Sequence, residues 1–189
     1  MMEQLQEWDV KLFLALNTLG SETWDPVWLI ITRFQYWIPV FAVVLYAAYK
    51  KLNRNHFYLV LGMVALLILF TDQTTNLIKF LAKRPRPCNN PDIAGIMRAV
   101  QTRKSFSFVS GHSSNSMAVA FLVYNMLKPY VKNIGWFFLW PIIFAFSRIY
   151  LGLHYPGDIL CGYLYGLFTG WLVFQLYKFI RKKYNPTFA

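Results

Sequence analysis

Apolar residues in this chain neither alternate nor form a single stripe. They come in long runs separated by short polar turns. A helix that crosses a bilayer needs about 20 such residues. Residues 27–49 (VWLIITRFQYWIPVFAVVLYAAY) form the first run of that kind, with Pro39 predicting a kink inside it. Residues 57–78, 112–128, 133–150 and 158–179 supply four more runs. Residues 5–19 are apolar but too short to span, and read as an amphipathic helix near the interface. The pattern therefore predicts an all-α polytopic membrane helix bundle. It has five spans plus an N-terminal interfacial or short helix, in a single domain over 1–189. Gly162, Gly166 and Gly170 recur every four residues and predict close helix contact.

Composition sharpens this. Hydrophobic residues make up 57% of the chain and charged ones only 14%, which excludes a disordered chain, a disulfide scaffold and most soluble folds. The net charge of +11 admits nucleic acid, anionic lipid or a phosphorylated substrate as partner. Its basic residues lie between apolar runs rather than on a soluble surface, so the expected partners are bilayer headgroups, not nucleic acid. Nothing in the sequence points to a protein partner or fixes an oligomeric state. Cys88 falls in a polar loop and Cys161 in an apolar run, so no bridge is expected, and no His/Cys spacing suggests a zinc site. Glu3 and Glu7 precede the first apolar patch, so no cleavable signal peptide is expected.

Five alternating spans would put Lys50, Lys51, Arg54, Lys128, Lys132, Lys178, Arg181, Lys182 and Lys183 on one face, with no acid among them. The positive-inside rule makes that face cytoplasmic. The opposite face holds the 79–111 connection, itself rich in Lys and Arg. Those cations oppose the topology rule, and binding a phosphate would account for them. Part of 92–99 is expected to form a short surface helix. Trp136 and Tyr150, near run ends, read as interface anchors.

The unusual polar residues gather at one end of four runs. Lys79 and Arg86 follow the second, and Ser110, Gly111 and His112 open the third. Ser147 and Arg148 close the fourth, and His154 and Asp158 open the fifth. Arginine offers a planar fork and lysine a point charge to phosphate oxygens. The free amides at a helix start welcome an anion. Histidine serves as nucleophile, acid or base near neutral pH. A lone histidine at a helix start is more often a cap than a catalyst. His112 and His154 together with Arg148 and Asp158 reverse that weighting. Asp72 and Asn76 read as a helix–helix hydrogen-bond network rather than as catalysts, and Arg33 as a snorkelling residue. Lys83, Arg84, Arg103 and Lys104 read as headgroup contacts or solvated charges. His56, in the far basic turn, is not expected to be catalytic.

These motifs resemble those of the type 2 phosphatidic acid phosphatase (PAP2) superfamily. Lys79, six residues, then Arg86-Pro87 is similar to its first signature. Ser110-Gly111-His112 is similar to the second, with Val109 where the family often has proline. Ser147-Arg148, five residues, His154, three residues, Asp158 matches the third. The resemblance implies that His154 takes the phosphoryl group as a phosphohistidine and that Asp158 orients it. His112 would protonate the leaving oxygen and then activate water. Lys79, Arg86 and Arg148, with Ser110 and Gly111, would cradle the phosphate. It implies no metal and no cofactor. It also implies a bacterial inner-membrane phosphatase acting on a membrane lipid phosphate, and the charge rule above puts its site on the periplasmic or outer face. Undecaprenyl diphosphate is the favoured substrate by analogy, beside phosphatidylglycerol phosphate, phosphatidic acid and lipid A phosphates. A lipid phosphotransferase is the alternative, and a non-hydrolytic transporter or binding subunit ranks below it.

Overall fold

The computed structural model describes residues 2–184. Its helices are α1 (Met2–Asn17), α2 (Asp25–Ile31), α3 (Ile38–Lys51), α4 (Arg54–Ala82), α5 (Gly111–Leu127), α6 (Leu139–Tyr150) and α7 (Pro156–Lys183). Helix α5 is the hub and packs against α4, α6 and α7. It carries no charged side chain, and Ala118, Ala120 and Leu122 are fully enclosed. Beyond its polar first turns it is apolar on every side, and such a helix belongs inside.

The glycine ridge of α7 faces α5. A Cβ at Gly166 would stand 3.0 Å from the Ala118 amide nitrogen and closer still to the Ser114 carbonyl oxygen. Gly166→Ala therefore forces two backbones apart, at an expected cost of about 1–3 kcal/mol. A lowered melting temperature in detergent is the readout. Gly62→Ala, which meets open space, is the control and should not lower it.

The expectation of five spans is not met. Among the described residues two helices, α4 and α7, are long and apolar enough to cross a membrane. A third arises only if α2 and α3, bent by 74°, count as one span. The run at 27–49 is not one helix. It breaks at Arg33, which is extended (φ −91°, ψ 122°), and passes through a 3-10 turn at Phe34–Trp37. Pro39 is not the cause, since it sits in the first turn of α3, where a missing N–H costs nothing. The 112–128 run is the interior helix α5, of 17 residues. The 133–150 run divides into a 3-10 turn at Ile134–Phe138 and the 12-residue α6. Both runs are apolar because protein surrounds much of them, and hydropathy cannot tell a protein-facing residue from a lipid-facing one. Outward, α4 exposes Leu69, Phe70, Leu77 and Phe80, and α7 exposes Leu160, Leu164, Phe168 and Phe179. Those faces suit acyl chains.

The long connection also differs from its expected form. Helix α4 runs on to Ala82 and ends at Lys83, whose φ of 50° is left-handed. Pro85 and Pro87 follow and cannot continue it. Where part of 92–99 is expected to form a short surface helix, there is a 3-10 turn at Pro91–Ile93 followed by turns and bends. Ile93 is buried with Phe13 of α1, Ala145, Ile149 and Ile159. Helix α1 thus has a docked face, while Trp8 on its other side is 73% exposed. Tyr150 is not an interface anchor. It is buried, with its hydroxyl 2.8 Å from Asp25 Oδ1.

Candidate active site

Four helix ends and one loop converge on a cavity of about 720 Å³. The last turns of α4 bring Lys79, the loop after it brings Arg86, and the start of α5 brings Gly111 and His112. The last turn of α6 brings Arg148, and the turn before α7 brings His154. All six line the cavity. Two expected site residues stand behind its wall. Ser110 is fully buried and caps α5, its Oγ accepting from the Ser113 amide at 3.5 Å. Asp158 is fully buried in the first turn of α7, behind His154.

The partners of His154 fix its tautomer. Arg86 Nη1 lies 3.0 Å from His154 Nε2. A guanidinium only donates, so Nε2 must accept and the ring proton sits on Nδ1. Nδ1 in turn lies 3.4 Å from Asp158 Oδ2 and 3.3 Å from Ser107 Oγ. The Ser107 hydroxyl donates to that same carboxylate oxygen. Burial pushes the imidazole down to about 3. The hydrogen bond and charge of Asp158 pull it back up, while Arg86 and Lys79 push it further down. The ring is therefore neutral in the empty site, with the Nε2 lone pair toward the cations.

Those cations are held by backbone carbonyls and side-chain hydroxyls rather than by carboxylates. Arg86 donates from Nε to Ser105 O at 2.7 Å and from Nη1 to Leu153 O at 2.8 Å. Lys79 Nζ donates to Ser107 O at 3.1 Å and to Val109 O. Arg148 Nη1 donates to Thr32 Oγ1, and its Nε is enclosed without a partner. A carbonyl positions a cation without cancelling its charge, so the cluster can still receive an anion. His112 stacks on Phe144 with centroids 4.5 Å apart, and its Nε2 lies 3.4 Å from Thr32 O. The break between α2 and α3 thus supplies one residue, Thr32, that touches both Arg148 and His112.

Arg84 is the largest departure from the sequence reading. It is not a headgroup contact. Its Nη1 meets Asp158 Oδ1 at 2.7 Å and its Nη2 meets Asp9 Oδ2 at 2.7 Å. Asp9 Oδ1 accepts from the Gly157 amide at 2.6 Å, and the guanidinium lies 4.1 Å over the Tyr155 ring. Asp158 also accepts from the Tyr155 amide at 3.0 Å, which caps α7. Sequence reasoning missed Ser107, Thr32 and Asp9 as well. The rigid Arg84-Pro85-Arg86-Pro87 segment was the one available signal, since it fixes two arginines at once. Arg33 and Arg103 line the cavity, whereas His56 is buried at the far end with its Nε2 2.6 Å from the Tyr177 hydroxyl. Among the described residues no group of three or more His, Cys, Asp or Glu is placed to hold a metal ion. Cys88 and Cys161 are unbridged.

Comparison with known proteins gives a consistent picture. The sequence pattern of the PAP2 superfamily matches residues 55–182. A lipid A 4'-phosphatase of Bacteroides thetaiotaomicron is 34% identical over 179 residues, covering 92% of this chain and 79% of that protein. A lipid A 4'-phosphatase of Porphyromonas gingivalis is 28% identical over 189 residues, covering 97% and 78%. The crystal structure of a transmembrane PAP2-type phosphatidylglycerolphosphate phosphatase from Bacillus subtilis superposes with a TM-score of 0.67. It is 22% identical, with 95% of this chain and 87% of that one covered.

Proposed function

The chain belongs to the PAP2 superfamily, in its bacterial lipid-phosphatase branch, and from that premise we propose that it hydrolyses a phosphate ester of a membrane lipid through a phosphohistidine, without a metal. The observation that carries this reading is the His154 Nε2 lone pair, held 3.0 Å from Arg86 Nη1 in the wall of a cavity that Lys79, Arg148 and His112 share. Nε2 attacks phosphorus, the P–N bond forms, and the P–O bond to the lipid breaks. His112, carrying its second ring proton once the anionic phosphate is bound among the cations, gives that proton to the leaving oxygen. A water then attacks, passes a proton to His112, and breaks the P–N bond. Arg86, Lys79, Arg148 and the Gly111 amide hold the phosphoryl oxygens, whose charge is the main thing to be stabilised. Ser110 acts through the helix start that it caps.

Lipid A phosphates are the favoured substrates, because the two relatives above carry that activity in their names and align over nearly the whole chain. Undecaprenyl diphosphate, favoured above by analogy alone, is the comparison substrate. The site faces the periplasm or exterior. This rests on α4 and α7, each of which has one end at the site and the other beside basic residues (Arg54; Arg181, Lys182 and Lys183). In detergent with EDTA present, the protein is expected to release phosphate from lipid A and to yield an acid-labile, alkali-stable phosphoenzyme. Loss of release in EDTA, or a phosphoenzyme that resists acid, would overturn the mechanism. In intact spheroplasts a membrane-impermeant maleimide should label Cys88 of the site loop, and labelling only after lysis would reverse the orientation.

A further inference from the structure

One tier of polar side chains in the cavity has no place in the chemistry above. Asp72, Asn76 and Lys79 lie at i, i+4 and i+7 on α4, so they share one helix face, and all three line the cavity. At 1.5 Å per residue, Asp72 sits about 10 Å along the axis from Lys79. Asn115 lies one turn beyond His112 on α5 and lines the same cavity. Asp72 Oδ2 accepts from Asn76 Nδ2 at 3.2 Å, and Asp72 Oδ1 accepts from Asn115 Nδ2 at 3.3 Å. Asn115 Oδ1 is enclosed and without a partner. The two amides spend donors on the carboxylate, so the tier has acceptor capacity to spare: the remaining lone pairs of Asp72 and the amide oxygen of Asn115.

Beyond this tier the character changes again. Phe34, Ile68, Val119 and Trp140 line both the cavity and an adjoining groove of about 310 Å³ whose lining is wholly apolar. In order along α4 there is a phosphate clamp, then an acceptor tier one to two turns away, then an apolar groove. His112, assigned above to protonate the leaving oxygen, shares a face of α5 with Asn115, so a leaving group held there has the tier one turn away.

We propose that Asp72, Asn76 and Asn115 form a headgroup subsite that selects a lipid bearing hydroxyl or amide N–H donors between its phosphate and its acyl chains, as a phosphorylated acylated sugar does. A diacylglycerol phosphate has no donor at that position. A prenyl diphosphate places there either a second phosphate, which the Asp72 carboxylate repels, or bare hydrocarbon. The inference rests on the phosphatase reading of the same site and deepens it.

The test measures kcat/KM of the full chain for lipid A, phosphatidic acid and undecaprenyl diphosphate, in the wild type, Asp72→Asn and Asn115→Leu. A lost hydrogen bond to a charged or enclosed acceptor is worth about tenfold to a hundredfold. The expected result is a fall of at least tenfold in the ratio of lipid A to phosphatidic acid turnover in both variants. Asp72→Asn should also raise undecaprenyl diphosphate relative to lipid A. A parallel loss on all three lipids, or no change in ratio, would show that the tier only ties α4 to α5, and would overturn the proposal. Binding of lipid A and phosphatidic acid is measured in parallel on His154→Ala, with and without Asn115→Leu. If the wild type releases no phosphate, the hydrolase reading fails. Equal loss, or no loss, of the two affinities on adding Asn115→Leu would then overturn the subsite separately, and selective loss of lipid A binding would uphold it.

Discussion

Replacing His154 by alanine is expected to lower phosphate release by at least about 10⁴-fold, the scale seen when a covalent nucleophile is removed from a catalytic unit. The clamp of Lys79, Arg86 and Arg148 remains, so lipid binding should change far less than turnover. The fold should survive, because Asp158 keeps Ser107, Arg84 and the Tyr155 amide as partners. A melting curve beside the phosphate assay separates the two effects. A variant with wild-type turnover would remove His154 from the chemistry. The pH dependence follows from the same geometry. With its imidazole pushed down to about 3 by burial, His154 is neutral at every pH above about 4, the form that the proposed attack requires. Acid protonates it only below that, so any loss of phosphoenzyme formation between pH 5 and 7 comes from another group.

The second large effect is expected at Arg84. Arg84→Met leaves the Asp158 carboxylate, whose side chain is 0% exposed, without the cation 2.7 Å away, and releases Asp9 at 13% exposure. Removing one partner of a buried ion pair costs about 3–5 kcal/mol. Arg84 is itself 21% exposed, so the lower end applies. Turnover should fall as well, by about 10²-fold even well below the melting temperature, because Asp158 loses one of the contacts that aim it at His154 Nδ1. Arg84→Lys should recover part of the stability, since it keeps the charge, and less of the activity, since one ammonium cannot match both geometries. Equal recovery of both would make Arg84 a purely structural tie. Asp9→Asn should move in the same direction as Arg84→Met by a smaller amount.

Much of the site was legible from chain order. Lys79, Arg86, His112, Arg148 and His154 each fall at or beside the end of an apolar run, and helix ends on one side of a bundle must meet. What was not legible depends on contacts that no run announces. Arg84 looks like one more loop cation until α1 folds back and presents Asp9. Ser107 sits in a stretch with no periodicity. Thr32 reached the site only because the first apolar run breaks, and hydropathy averages across such a break. The five-span expectation failed for a related reason. Run length measures how apolar a segment is, whereas a span also requires a straight helix and a lipid neighbour. α5, at 17 residues, and α6, at 12, are apolar but shorter than a span requires.

The double attachment of Asp158 has a consequence for how this sequence can change. Its carboxylate caps the first turn of α7 through the Tyr155 amide, ties α1 through Arg84, and orients the imidazole. Drift that erased the chemistry would leave the first two duties in force. A relative that had lost its nucleophile would therefore be expected to keep the aspartate, so its presence in a descendant testifies to ancestry rather than to activity. The histidine, whose proposed duty is the chemistry itself, is the better witness.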